Sequence, residues 1–276
     1  MSVVEEKPKY QLQPIFTHLA SISEKVTFST TVRGSRSVEV QEAANLSSWG
    51  FDAELVVPLF KRFQLRLAAP VYTNGHARTL PVPVTGKGGR IVTQKVENIK
   101  LSGYGGVFDF GSVQLDGQFL TQEQHGINMT ASVGMAKMLD PLRTNSVGRY
   151  NHAGEYYMLQ LRADRKVNEW LTLVGHLGGR HYYISDDINP AGQSDGDVFT
   201  HFEAYAAGVF NPWDSNIFPV FEIAYTGDLD HYNAVLAVPE IIWAVNSHFE
   251  LKIAVPLGVC DNGERVGFRV QATVRF

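Results

Sequence analysis

From Val266 to Phe276 the chain alternates strictly: Val266, Phe268, Val270, Ala272, Val274 and Phe276 are apolar, with Arg269, Gln271, Thr273 and Arg275 between them. A period of two over about ten residues marks a strand whose two faces meet different surroundings. The preceding stretch repeats the pattern, with Phe249, Leu251, Ile253, Val255 and Leu257 against Glu250 and Lys252, and Asp261-Asn262-Gly263 joins the two as a hairpin. A second hairpin places Phe51, Ala53, Leu55, Val57 and Leu59 before Lys61-Arg62, and Phe63, Leu65, Leu67 and Ala69 after it. The same rhythm predicts strands near Val26–Ser37, Ser112–Thr121, Ile127–Met138, Tyr156–Arg165, Trp170–Ile184, Phe199–Phe210, Phe218–Tyr225 and Tyr232–Trp243, about twelve in all. Helix is scarce; Val40–Leu46 has room for a turn or so.

The connections sort into two kinds. Short turns at Lys61-Arg62, Gln122–Gly126, Lys166–Glu169, Asn211–Asn216 and Val245–His248 alternate with mostly longer links, the longest being Asn74–Gly111. An even strand number with short turns at one rim and long loops at the other is the pattern of an antiparallel, up-and-down transmembrane β-barrel of the bacterial outer membrane. Within the long link, Asn98–Phe110 alternates weakly and is assigned to an extension above the membrane rather than to a thirteenth stave. Residues 1–25 are expected as an N-terminal periplasmic segment and 26–276 as one barrel domain.

Alternation alone leaves open whether the apolar face points to lipid or to a soluble core. Aromatic placement favours lipid. Trp170, Trp213 and Trp243 fall near the short-turn rim and Tyr182, Tyr183, Tyr225 and Tyr232 near the loop rim, as in the aromatic girdles of membrane barrels. A mean hydropathy of -0.10 is compatible with this, because only alternate residues face lipid.

With the apolar faces outward, the lumen collects charges of both signs. Arg66, Arg162, His176, Arg180, Glu203, Glu222, Glu240 and Arg269 are the candidates for a lumen constriction. Opposite charges on neighbouring strands are expected to pair and partly fill so narrow an interior, which favours a selective path over a general pore. The net charge of -4 without a basic patch argues against nucleic acid. The single cysteine, Cys260, excludes an internal disulfide and a multi-Cys zinc site. Met1–Tyr10 has no apolar core followed by a small-residue cleavage site, so export requires a leader that this segment is not.

Enzymatic and metal chemistry find little support. His152 follows Asn151 but lacks a serine positioned as nucleophile, so no catalytic residue is expected. The acidic clusters Asp186-Asp187 with Asp195 and Asp197, and Asp228 with Asp230, read as solvated loop charge rather than calcium ligands. Val84–Arg90 lacks the flanking elements and the Gly-Lys-Ser/Thr ending of a phosphate loop. No cofactor and no metal are implied.

The strings Val113–Pro141, Leu159–Tyr183 and Val238–Val259 resemble the outer-membrane transporters associated with meta-pathway phenol degradation, over roughly Gly111–Phe276. That resemblance implies passive uptake of small molecules, hydrophobic or aromatic ones among them, by a channel embedded in outer-membrane lipid. The terminal Phe276 resembles the signal read by the barrel-assembly machinery during biogenesis. The sequence departs from the family in its longer Asn74–Gly111 segment. The alternative reading is a structural barrel that binds a protein partner through that external loop; a soluble lipid-binding barrel is a third.

Overall fold

The computed structural model describes residues 12–37, 46–85, 91–104, 110–138, 142–144, 150–188, 194–211, 215–230, 232–260 and 264–276; for 37, 46, 75–85, 91–104, 142–144, 150–153, 184–188 and 194–197 it describes the backbone alone. The strands are β1 (Thr27–Ser37), β2 (Leu46–Phe60), β3 (Phe63–Thr85), β4 (Ile91–Tyr104), β5 (Phe110–Leu120), β6 (Asn128–Met138), β7 (Leu142–Thr144), β8 (Tyr150–Asn168), β9 (Leu171–Ile188), β10 (Ser194–Phe210), β11 (Ile217–Gly227), β12 (Asn233–Ala244), β13 (Phe249–Ala254), β14 (Leu257–Gly258) and β15 (Glu264–Arg275). One helical turn, α1 (Gln122–His125), links β5 to β6 and ends on Gly126 at φ 75°, a left-handed conformation that favours glycine.

Each strand pairs antiparallel with its neighbours, and β15 pairs with β1 from Arg275↔Thr27 to Glu264↔Ser37, so the sheet closes on itself. β6 with β7 and β13 with β14 each form one interrupted stave, and β4 continues upward along β3 from the place where β5 leaves off. Twelve staves result, as the alternation predicted. For 98–104 the assignment to an extension also fits, since β3 and β4 form a hairpin from Tyr72↔Tyr104 to Thr85↔Ile91, whereas 105–109 lie outside the described residues and Phe110 opens β5. The turn expected within Val40–Leu46, the 86–90 part of the Val84–Arg90 tip and Trp213 lie outside the described residues.

Closure settles which face is which. Along β8, Tyr157, Leu159 and Leu161 are exposed, Leu159 at 64%, whereas Met158, Gln160, Arg162 and Asp164 are buried, Arg162 at 0%. The same inversion holds on β15, where Val266, Phe268 and Val270 are exposed and Thr273 and Arg275 are buried. A soluble barrel cannot leave such a continuous apolar band in water; this one turns it to lipid. Trp170 and Trp243 point outward at the short-turn rim. Tyr183 also faces outward, but Tyr182, read from the sequence as part of the girdle, faces inward and stacks on Phe199 at 4.9 Å.

Leu159→Arg, midway along β8 on the outer face, is expected to destabilise the barrel by about 2–4 kcal/mol. Denaturant unfolding of vesicle-reconstituted protein checks this, and an unchanged midpoint would contradict the outward assignment.

Candidate functional site: the barrel lumen

The inner wall is held together by ion pairs between staves, one of them reaching past β6 from β5 to β8. Asp116 on β5 is fully buried and receives Arg162 Nη2 at 2.5 Å, with Arg66 Nε at 3.9 Å; Gln64 and Gln114 donate to its carboxylate at 2.7 and 2.6 Å. Arg66 Nη1 also binds Glu54 at 2.8 Å, and Arg162 donates to Ser132 Oγ at 2.8 Å. A charge taken out of water survives only when paired and hydrogen-bonded, and each of these guanidiniums is.

A second cluster spans β8, β9 and β10. Glu203 lies opposite Gly178, so its carboxylate sits between His176 and Arg180 one step to either side. Arg180 Nη2 reaches it at 2.7 Å, His176 Nε2 lies 3.6 Å away, and Tyr205 donates its hydroxyl at 3.1 Å. Gln160, opposite Gly178 on the other side, donates to Glu203 at 3.2 Å. Gly178 is what lets it through, since a Cβ there would stand 2.8 Å from Gln160 Cγ.

The remaining candidates meet a partner from outside the wall. Residues 12–23, part of the segment expected in the periplasm, run inside the barrel instead, for a physical reason. Glu222 and Glu240 are buried with no cation among the described residues bonded to either, and they take backbone N–H groups from this segment: Ile15 N–H donates to Glu240 at 3.0 Å, and Phe16 and Thr17 N–H donate to Glu222 at 3.2 and 2.8 Å. Asp164 accepts from Ala20 and Ser21 N–H at 2.6 and 2.9 Å, and Gln64 accepts from Ser23 N–H at 2.8 Å. Bends at Ile15–Thr17 and Ala20–Ser21 turn consecutive N–H groups to one side, the geometry in which backbone binds an anion. Thr130 Oγ1 and Arg162 donate in return to the carbonyls of Ala20 and Leu19.

Apolar contact completes the seat. Val174, Ala207, Val209, Phe218, Val220, Ile242 and Ala244 form a buried inner patch near the short turns, and Leu12 and Leu19 pack against it. Arg269, paired with Glu264 at 2.7 Å, lays its guanidinium 4.9 Å from the centre of the Phe16 ring. On the loop side, a cavity of about 380 Å3 has Ile15 and His18 on its boundary.

All eight candidates thus line the lumen, in three groups: Arg66 with Arg162, His176 with Arg180 and Glu203, and Glu222, Glu240 and Arg269 around the N-terminal segment. Sequence reasoning missed the segment itself. Its signals were present: Leu12, Ile15, Phe16, Leu19 and Ile22 recur in a stretch assigned to no strand, and the inner positions of β11 and β12 are unexpectedly apolar. Asp228 caps its own turn, accepting from Asp230 and Tyr232 N–H at 2.9 Å each. The side chains of His152, Asp186, Asp187, Asp195 and Asp197 lie outside those described. Among the described residues no three His, Cys, Asp or Glu side chains gather as a metal site.

No protein-family model matches the chain, and no curated protein matches it either. Solved structures do. An outer membrane channel from Pseudomonas putida F1 superposes with a TM-score of 0.61 at 10% identity, over 96% of this chain and 100% of that one. The transport unit of the autotransporter AIDA-I from Escherichia coli gives 0.56 at 11% identity, over 92% and 90%. The translocator domain of the autotransporter NalP from Neisseria meningitidis gives 0.53 at 11%, over 92% and 89%. At such identities the likeness is one of fold, and the fold is the closed antiparallel barrel of Gram-negative outer-membrane proteins.

Proposed function

We propose that the chain is an outer-membrane channel for passive uptake of small molecules, with its lumen closed on the short-turn side by its own N-terminal segment. The observation that carries this reading is the path of residues 15–23 along the inner wall, bonded to Glu240, Glu222, Asp164 and Gln64. A barrel serving only as an anchor has no use for a lumen whose polar wall is satisfied by a detachable strip of backbone. Hydrogen bonds from five N–H groups to three carboxylates, each worth about 1.5–3 kcal/mol where one partner is charged, hold the strip without any covalent tie. Arg66, Arg162, His176, Arg180 and Glu203 form the fixed charged constriction beside it.

Hydrophobic or aromatic solutes are the favoured cargo. The resemblance of Val113–Pro141, Leu159–Tyr183 and Val238–Val259 to the phenol meta-pathway transporters supports this, as do the inward rings of Phe110, Tyr156, Tyr182 and Phe199 on the loop side. The β3–β4 hairpin, which continues past the point where β5 leaves β3, favours a second reading, a partner-binding barrel. Deleting residues 80–95 separates the two: a channel keeps its conductance, and a docking barrel loses its partner.

In planar bilayers, removing residues 12–23 is expected to raise single-channel conductance severalfold, with heat-modifiable migration in detergent retained as the sign of a folded barrel. Absence of current and of liposome uptake in both the full chain and the deletion would sink the channel.

Glu222→Gln keeps a carbonyl acceptor for Phe16 and Thr17 but removes its charge. Opening events are expected to become about tenfold more frequent, the equivalent of ~1.4 kcal/mol lost from the latch. Single-channel recording measures this, and an unaltered opening frequency would remove Glu222 from the latch.

A further inference from the structure

We propose that the cavity on the loop side of the N-terminal segment is a binding site for a small aromatic carboxylate. Its volume of about 380 Å3 falls in the roughly 300–1,000 Å3 range of small-molecule sites. Three guanidiniums line it: Arg33, Arg180 and Arg269. Arg33 and Arg269 are directly opposite one another across the β1–β15 seam, each held by a carboxylate, Asp52 and Glu264, at 2.7 Å.

Three guanidiniums against two lining carboxylates leave one net positive charge on the cavity wall. Of the lining residues only Asp52 and Glu54 are acidic; Asp52 is bonded by Arg33 at 2.7 Å, and Glu54 by Arg66 at 2.8 Å. The partners of the other two arginines, Glu203 and Glu264, are not part of the lining, so those guanidiniums are anchored from behind. Arg180 keeps 30% of its side chain exposed while bonded to Glu203. A planar guanidinium with donors to spare suits a carboxylate, which it can grip through two parallel hydrogen bonds.

The same wall supplies a surface for a ring. Tyr156 lies beneath Arg180, 5.2 Å from its guanidinium carbon, and Phe110 packs on Tyr156 at 5.0 Å. Ala68, on the inward face of β3, is a small residue in the same lining. A cation set beside two aromatic faces matches a molecule with a carboxylate at one end and a ring at the other; a neutral hydrocarbon gains nothing from the guanidiniums, and an aromatic amine is repelled. As a waypoint for solute the site rests on the channel reading, whereas its occupancy is measured independently of transport.

Calorimetric titration of the full chain in detergent, with benzoate, benzyl alcohol, benzylamine and acetate as probes, tests the assignment. Benzoate is expected to bind at least about tenfold more tightly than each of the others. The double variant Arg180→Gln with Glu203→Gln, which removes both members of the pair, is expected to abolish that preference. Tyr156→Leu changes no charge and is expected to weaken benzoate while leaving acetate unchanged; it serves alone if the double variant does not fold. Benzyl alcohol or benzylamine binding as tightly as benzoate, or benzoate binding unaltered in the folded variants, overturns the site. A protein that conducts without binding benzoate loses the site and keeps the channel; one that binds benzoate without conducting keeps the site and loses the channel.

Discussion

Every charge that faces the lumen must find a partner there, because the lipid-facing half of each strand leaves it no route to bulk water through the wall. That constraint organises the interior. Asp116 is reached by Gln64 and Arg66 from β3, Gln114 from its own strand and Arg162 from β8 beyond β6, and Glu203 by Arg180, Tyr205 and Gln160. Where the described wall offers a carboxylate and no bonded cation, as at Glu222 and Glu240, the backbone of residues 15–17 takes the cation's place. Wall and segment are therefore one polar network rather than a container and its contents.

The wall itself was legible in the sequence because its rule is local. Period-two alternation, hairpin turns and the even count need only neighbouring residues, and the outward direction followed once the girdle tryptophans were placed. The arrangement of Arg180, His176 and Glu203 was legible too, since two residues on one face and a third on the next strand meet whenever the register is right. Non-local choices were hidden. Nothing local in Leu12–Ser23 says that its N–H groups will be spent on carboxylates about 140 to 225 positions away. Tyr182 shows a milder version of the same limit: adjacent tyrosines at 182 and 183 necessarily face opposite ways, and only the closed barrel shows which is inside.

The interior is also less uniform than a charged lumen suggests. On β9 to β12 the short-turn end is apolar on both faces, which seats Leu12 and Leu19; toward the loops the inner face turns aromatic. Three zones follow along the axis, an apolar seat, a belt of ion pairs and an aromatic cuff, and the sequence records them as changes in which residue types occupy the inward positions of the same strands.

The bonds from residues 15–23 to Glu240 on β12, Glu222 on β11, Asp164 on β8 and Gln64 on β3 carry a mechanical consequence. A ring of staves joined edge to edge resists stretching but flattens readily, because each seam acts as a hinge. Spokes from a single internal strip to widely separated staves resist that flattening, so the part of the chain that occupies the bore also keeps its cross-section round.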